Sequence, residues 1–221
     1  MSLFKDILTF AYRGSGKYVL LTCVILSVIA DLAGLAPLFG SIASLFIAGY
    51  FCAIYFQLIQ SSATGGKEAP EFPDTANLFE DIFWPMLQVL VVAAVSFGPV
   101  VAYLGLVDEN QFNAPIANSL LGFGVVYFPM AMLAVVVLGY TGALSPHIVI
   151  PAIFRGGWVY WIGVLLLVIL YFAGSVIEDV LAGKLILKHL IMAVVGGYTL
   201  MTNARILGVV YRERQDELGW L

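Results

Sequence analysis

Between Lys17 and Lys67 the chain carries a single charge, Asp31. A bilayer asks for about 20 mostly apolar residues per crossing helix, whereas a water-facing fold cannot leave so long a stretch uncharged. The run is too long for one span and fits two, with a break at Gly34-Leu35-Ala36-Pro37. This places helices at 18–36 and 38–60. Uncharged runs at 82–107, 111–154, 156–177 and beyond Lys188 add helices at 82–107, 116–140, 158–177 and 185–207. With 62% hydrophobic residues, 11% charged and a mean hydropathy of +1.00, the chain cannot make a water-compatible surface. That excludes an ordinary soluble enzyme, a disordered chain and a nucleic-acid binder.

Orientation follows from basic residues in the short loops. One side holds Lys5, Arg13, Lys17, Lys67, Arg155, Arg205, Arg212 and Arg214; the other holds Lys184 and Lys188. Both termini are therefore expected in the cytoplasm. A secretory signal peptide is the competing reading of Tyr18–Ala30 followed by Gly34-Leu35-Ala36. Cys23 and Cys52 fall inside spans as small packing residues, with no disulfide or metal framework.

The chain also repeats itself. Leu3-Phe4-Lys5-Asp6-Ile7 recurs as Leu78-Phe79-Glu80-Asp81-Ile82, Asp31 and Pro37 as Asp108 and Pro115, and Tyr50-Phe51 as Tyr127-Phe128. Asp31 and Gly49-Tyr50 recur again at Asp179 and Gly197-Tyr198. The mid-chain recurrence of the Asp31 pattern argues against signal cleavage. The expected architecture is all-α, a polytopic membrane helix bundle forming one domain over 1–221. It has about six transmembrane helices in three hairpin repeats, at about 1–62, 75–142 and 148–207, and a cytoplasmic tail at 208–221. Parallel copies differ from the inverted repeats of many secondary transporters. Each repeat opens with a lead-in segment. In the first, Leu3, Phe4, Ile7, Leu8 and Ala11 share one helical face, away from Lys5, Asp6 and Thr9. In the second, over 75–84, Leu78, Phe79, Ile82 and Phe83 do the same. Both are expected to lie along the headgroups. The third, around Ile148–Arg155, is broken by Pro146 and Pro151 and is less helix-like.

Little here can carry catalysis. Gly14-Ser15-Gly16-Lys17 lacks the upstream glycine, the following Ser or Thr and the preceding strand of a phosphate loop. His147 and His189 fall in different loops on opposite sides. Asp31, Asp108 and Asp179, with Glu109 and Glu178, are the candidate ion-facing groups, all near span ends. Terminal carboxylates more commonly cap a helix or solvate a turn. Gln57 and Gln88 sit near a span boundary. No cofactor is implied.

Pro70, Glu71 and Phe72, with Asp74 following, lie in the longest polar loop, which two prolines keep extended and two glycines turn away from the membrane. It is either a plain linker between the first two repeats or a loop that presents Phe72 to a neighbouring subunit. This loop, the span pair before it and the tail through Arg205-Ile206-Leu207-Gly208, Tyr211-Arg212 and Asp216-Glu217-Leu218-Gly219-Trp220 resemble a prokaryotic multi-pass membrane family, domain of unknown function 4013. The resemblance implies a bacterial or archaeal inner-membrane protein and carries no catalytic residues.

In helix 2, Gly40, Ser44, Ala48 and Cys52 recur every four residues as a small-residue stripe opposite Phe46, Tyr50 and Ile54. In lipid, helices associate through close backbone approach, so this stripe is expected to face another helix. The tail at 204–221 is expected to continue the last helix, with Arg205, Arg212 and Arg214 at headgroup level. Its end is expected either frayed in solvent or docked through Trp220 on the interfacial segments or a partner. The expected function is a non-catalytic membrane subunit, a scaffold or anchor whose partners are the lipid bilayer and other membrane proteins. The alternative is a small transporter or channel using the three aspartates.

Overall fold

A computed structural model describes residues 3–34, 36–70, 72, 73, 77–108, 112–181 and 183–220. Leu35, Glu71, Asp74, Thr75, Glu109 and Leu221, together with the side chains of Leu3, Phe4 and Pro37, lie outside the described residues. The described chain is all-helical, in the order α1 Leu3–Thr9, α2 Gly16–Ala33, α3 Pro37–Ala63, α4 Trp84–Leu106, α5 Ala114–Leu138, α6 Pro146–Arg155, α7 Gly157–Val180 and α8 Leu185–Leu218. Six of these helices are long and apolar enough to cross a membrane, making this a multi-pass helical bundle. The helix ends follow from local chemistry. Prolines open α3, α4, α5 and α6 in the first turn, where the missing N–H costs nothing. The Asn113 side chain caps α5 by accepting from the Ile116 N–H. Gly139 and Gly219 end α5 and α8 at φ +75° and +65°, a conformation other residues resist.

Consecutive spans pack as three hairpins, α2 with α3, α4 with α5, and α7 with α8. The returning helices α3, α5 and α8 also pack on one another, with 39%, 56% and 44% of their span windows buried. The outgoing helices α2, α4 and α7 are 22%, 17% and 22% buried and do not touch each other. Three inner helices thus carry three outer ones. The ring closes end to end, because α8 packs on α2 as well as on α7.

The lead-in segments differ from their expected place on the lipid surface. α1 and the turn at Phe10–Tyr12 dock on α8, burying Ile7, Phe10 and Ala11. Residues Phe79–Phe83 form a π-turn running straight into α4, with Ile82 buried against Gly49. The third segment is α6, a continuous amphipathic helix. Pro146 sits at its first position, and Pro151 forfeits only one backbone bond. α6 buries Val149, Ala152 and Ile153 against α5 and leaves Phe154 exposed.

The small-residue stripe on α3 also needs correcting. Gly40 meets the end of α2 closely, but Ser44 and Cys52 are only half-buried and Ala48 is exposed, while Ile47 and Ile54 are buried. The stripe winds off the contact face because α3 bears partners on more than one side. The close approaches lie elsewhere. A Cβ on Gly49 would come within 2.6 Å of Ile82 Cγ2, and one on Gly208 of α8 within 2.7 Å of the Ala63 backbone nitrogen. Backbone neighbours cannot give way, so Gly208→Ala should lower stability in detergent by an overpacking cost of about 1–3 kcal/mol. Ala48→Leu should leave the melting temperature unchanged. Paired thermal melts of the two variants check this.

Candidate functional site

Six crossings put both chain ends on one side of the bundle, and there the chain's single buried charge among the described residues is found. The Arg205 side chain is 2% exposed. Its Nη2 donates to Asp6 Oδ2 at 2.7 Å and its Nε to the same oxygen at 3.2 Å. Its Nη1 donates to the Gly66 carbonyl at 2.6 Å, and its Cζ lies 4.7 Å from the centre of the Phe10 ring. The other Asp6 oxygen accepts from Arg13 Nη1 at 2.7 Å. Gly65, at φ +87°, makes the turn that aims the Gly66 carbonyl inward. One guanidinium therefore joins the lead-in helix, the loop after the first hairpin and the last helix. Burial raises the Asp6 pKa, but the hydrogen bonds and charges of Arg205 and Arg13 outweigh it and hold the carboxyl below its ordinary 3.8.

This overturns two expectations. Arg205 is not a headgroup anchor, and Asp6 does not lie on a solvated face. The polar loop does not turn away either: Ser15 Oγ donates to the Ala69 carbonyl, and Glu68 lies against Gly14. Pro70 and the 46%-exposed Phe72 border an open groove of about 390 Å³ beside Tyr18. α8 does run on without a break to Leu218. Its tail folds back, with Trp220 stacked on Tyr211 at 6.1 Å and the Leu218 carbonyl accepting from Arg155. Trp220 is thus engaged within the chain.

On the far side, Asp31 lies in the last turn of α2, where it cannot act as an N-cap. It faces His189 Nδ1 of α8 at 2.9 Å. Glu178 of α7 pairs with Lys188 at 2.8 Å. His147 and His189 both lie within helices rather than loops. Asp108 and Asp179 are exposed, and the structure does not gather the three aspartates, since α2, α4 and α7 stand apart. Among the described residues no group of three His, Cys, Asp or Glu side chains is placed to hold a metal. Gln57 is half-buried, whereas Gln88 is buried on α4 at 4% exposure.

The long-range pairs were out of reach of local spacing, since Asp31 and His189 are far apart in the chain. A signal for Arg205 did exist. The apolar run resumes over Ile206–Tyr211, so the arginine is embedded in a hydrophobic stretch rather than ending one. No family model, curated protein or solved structure matches the chain.

Two outcomes follow from the Arg205 cluster. Arg205→Ala leaves the Gly66 carbonyl and half of Asp6 unpaired. Breaking a buried pair costs about 3–5 kcal/mol, and the partly exposed Asp6 puts this case at the low end. Arg205→Met, which fills the space while Arg13 still holds Asp6, should cost less in the same denaturation experiment. Because the folded-state pKa of Asp6 is depressed, its contribution is complete above the ordinary value of 3.8 and is lost as pH falls below it. The melting temperature of wild type should carry an acid-side drop that Asp6→Asn reduces.

Proposed function

We propose that this chain is a non-catalytic integral membrane subunit that anchors or helps assemble other membrane proteins. The observation that carries the reading is how the polar groups are used. The one buried cation among the described residues is fully engaged in holding the chain's own segments together, so no charged group is left inside the bundle to meet a solute. The cavities between Gly163 and Ile206 and between Val19 and Leu58 hold about 10 Å³ each, too small for a substrate, and the larger volumes beside Phe72 and between α7 and α8 are open grooves. The scattered aspartates offer no support to a cation pathway. Pro70 and Phe72 form the surface offered to a partner, with Phe72 exposed on a loop that Gly66 and Ala69 pin in place. Glu71 belongs to this proposed contact on sequence grounds alone.

The proposal extends to location and origin. With Arg205 buried in α8, the remaining seven-to-two split of basic residues still supports both termini on the cytoplasmic side, and the prokaryotic cytoplasmic membrane rests on the motif likeness alone. The ring of three hairpins supports descent from one repeated unit, and the motif likeness to the domain of unknown function 4013 family stays part of this reading.

Capture from mild detergent tests the function. Wild type should bring a defined membrane protein with it, and Phe72→Ala should release that protein while leaving the melting temperature unchanged. A strictly lone monomer that survives crosslinking in the membrane would contradict the reading, as would cation flux in liposomes abolished by Asn at positions 31, 108 and 179. With both native cysteines replaced, Glu68→Cys should resist a membrane-impermeant maleimide in intact cells. Labelling there would reverse the topology.

A further inference from the structure

The seam between α7 and α8 is sealed along one half and open along the other. On the terminal side a Cβ at Gly163 would come within 2.5 Å of Ile206 Cγ2, and the cavity beside Trp158 and Leu166 is about 10 Å³. Toward the far side the helices stay in contact, with a Cβ at Gly174 reaching within 3.8 Å of Val195 Cγ1, but the outer face of the seam opens. Gly196 has no atom within 4 Å of a built Cβ, and an open groove of about 420 Å³ runs from Leu170 and Leu200 up to Glu178 and Met192. Its walls are apolar apart from Ser175, Thr199 and Glu178.

Nine residues of helix along each wall, 170–178 and 192–200, span eight rises and give a length of about 12 Å at about 1.5 Å per residue. That is close to one leaflet of a hydrocarbon core about 30 Å thick. A crossing partner helix would need a groove through both leaflets, and this one closes halfway. An acyl chain needs only one. The mouth carries both signs of charge: Lys188 pairs with Glu178 at 2.8 Å, and the exposed Asp179 and Lys184 flank the pair in sequence. Two cations and two anions give no net pull on an anionic headgroup. They match one that itself carries a phosphate and an ammonium.

We propose that the α7–α8 groove is a binding site for a zwitterionic glycerophospholipid with an amine headgroup. One acyl chain lies along Ser175, Gly196 and Thr199, the phosphate faces Lys184 and Lys188, and the ammonium faces Glu178 and Asp179. The site is independent of the subunit reading above.

Native mass spectrometry of the full chain, titrated with phosphatidylethanolamine in detergent, tests this. Wild type should take up one molecule ahead of a weaker, unsaturable series. Gly196→Leu projects a side chain into open space within the groove and should weaken that first binding about tenfold or more. Gly122→Leu, equally open but on α5, should not. Ser175→Leu on the opposite wall should repeat the loss, which covers a folding failure of the first variant. Phosphatidylglycerol should bind the first site less tightly than phosphatidylethanolamine, and Lys188→Gln should narrow the difference. Equal binding by wild type, Gly196→Leu and Ser175→Leu would overturn the proposal. A wild-type dimer that Gly196→Leu dissociates, with no first-site lipid, would instead assign the groove to a second copy and overturn it as well.

Discussion

A guanidinium removed from water must find a full set of partners, and Arg205 finds them in segments far apart in the chain. Asp6 comes from the lead-in helix and the Gly66 carbonyl from the loop after the first hairpin, while Phe10 supplies an aromatic face. Desolvating both charges costs several kcal/mol, so such a pair contributes little net stability compared with apolar residues of the same volume. What it does fix is geometry. The carboxylate and the carbonyl have to meet the planar fork at set angles, which places α1 and the 64–70 loop on α8 in one arrangement. On the far side the Asp31–His189 pair links α2 to α8 directly, at the seam that closes the ring.

Between those ties the bundle relies on packing. Lipid tails give helices no hydrophobic reason to associate, so contact depends on how near the backbones can come. α8 is built for this along one face. Gly197 lies against Cys23 and Leu20 of α2, and Gly208 lies against Ser62 and Ala63 of α3. The same helix is 34 residues long, about 51 Å at 1.5 Å per residue, so it outruns a hydrocarbon core of about 30 Å. Its excess projects past Arg205 and is held by Arg155, Tyr211 and Trp220 instead of fraying.

The spans were legible because charge is so costly in a bilayer that its absence marks each crossing, and Pro37, Pro115 and Pro146 fix where helices begin. Helix faces were far less legible. A stripe such as Gly40, Ser44, Ala48 and Cys52 is only permission to pack, and in lipid a helix face has no polarity contrast to show which way it turns. Ala48 accordingly points outward while Gly49 makes the contact. Arg205 was misread for a related reason: counting it among loop charges ignored the apolar run that follows it. Asp6 looked solvated because its amphipathic segment was assigned a lipid surface, when the protein itself supplied the surface.

The central claim is that Arg205 holds the lead-in segment and the 64–70 loop to α8 as one unit. Backbone hydrogen exchange of Arg205→Met in detergent, resolved over 3–12, 64–70 and 124–136, tests it most directly. The account predicts that the first two segments lose protection together while the α5 core at 124–136 keeps it. Unchanged protection in both, or loss in one alone, would contradict it.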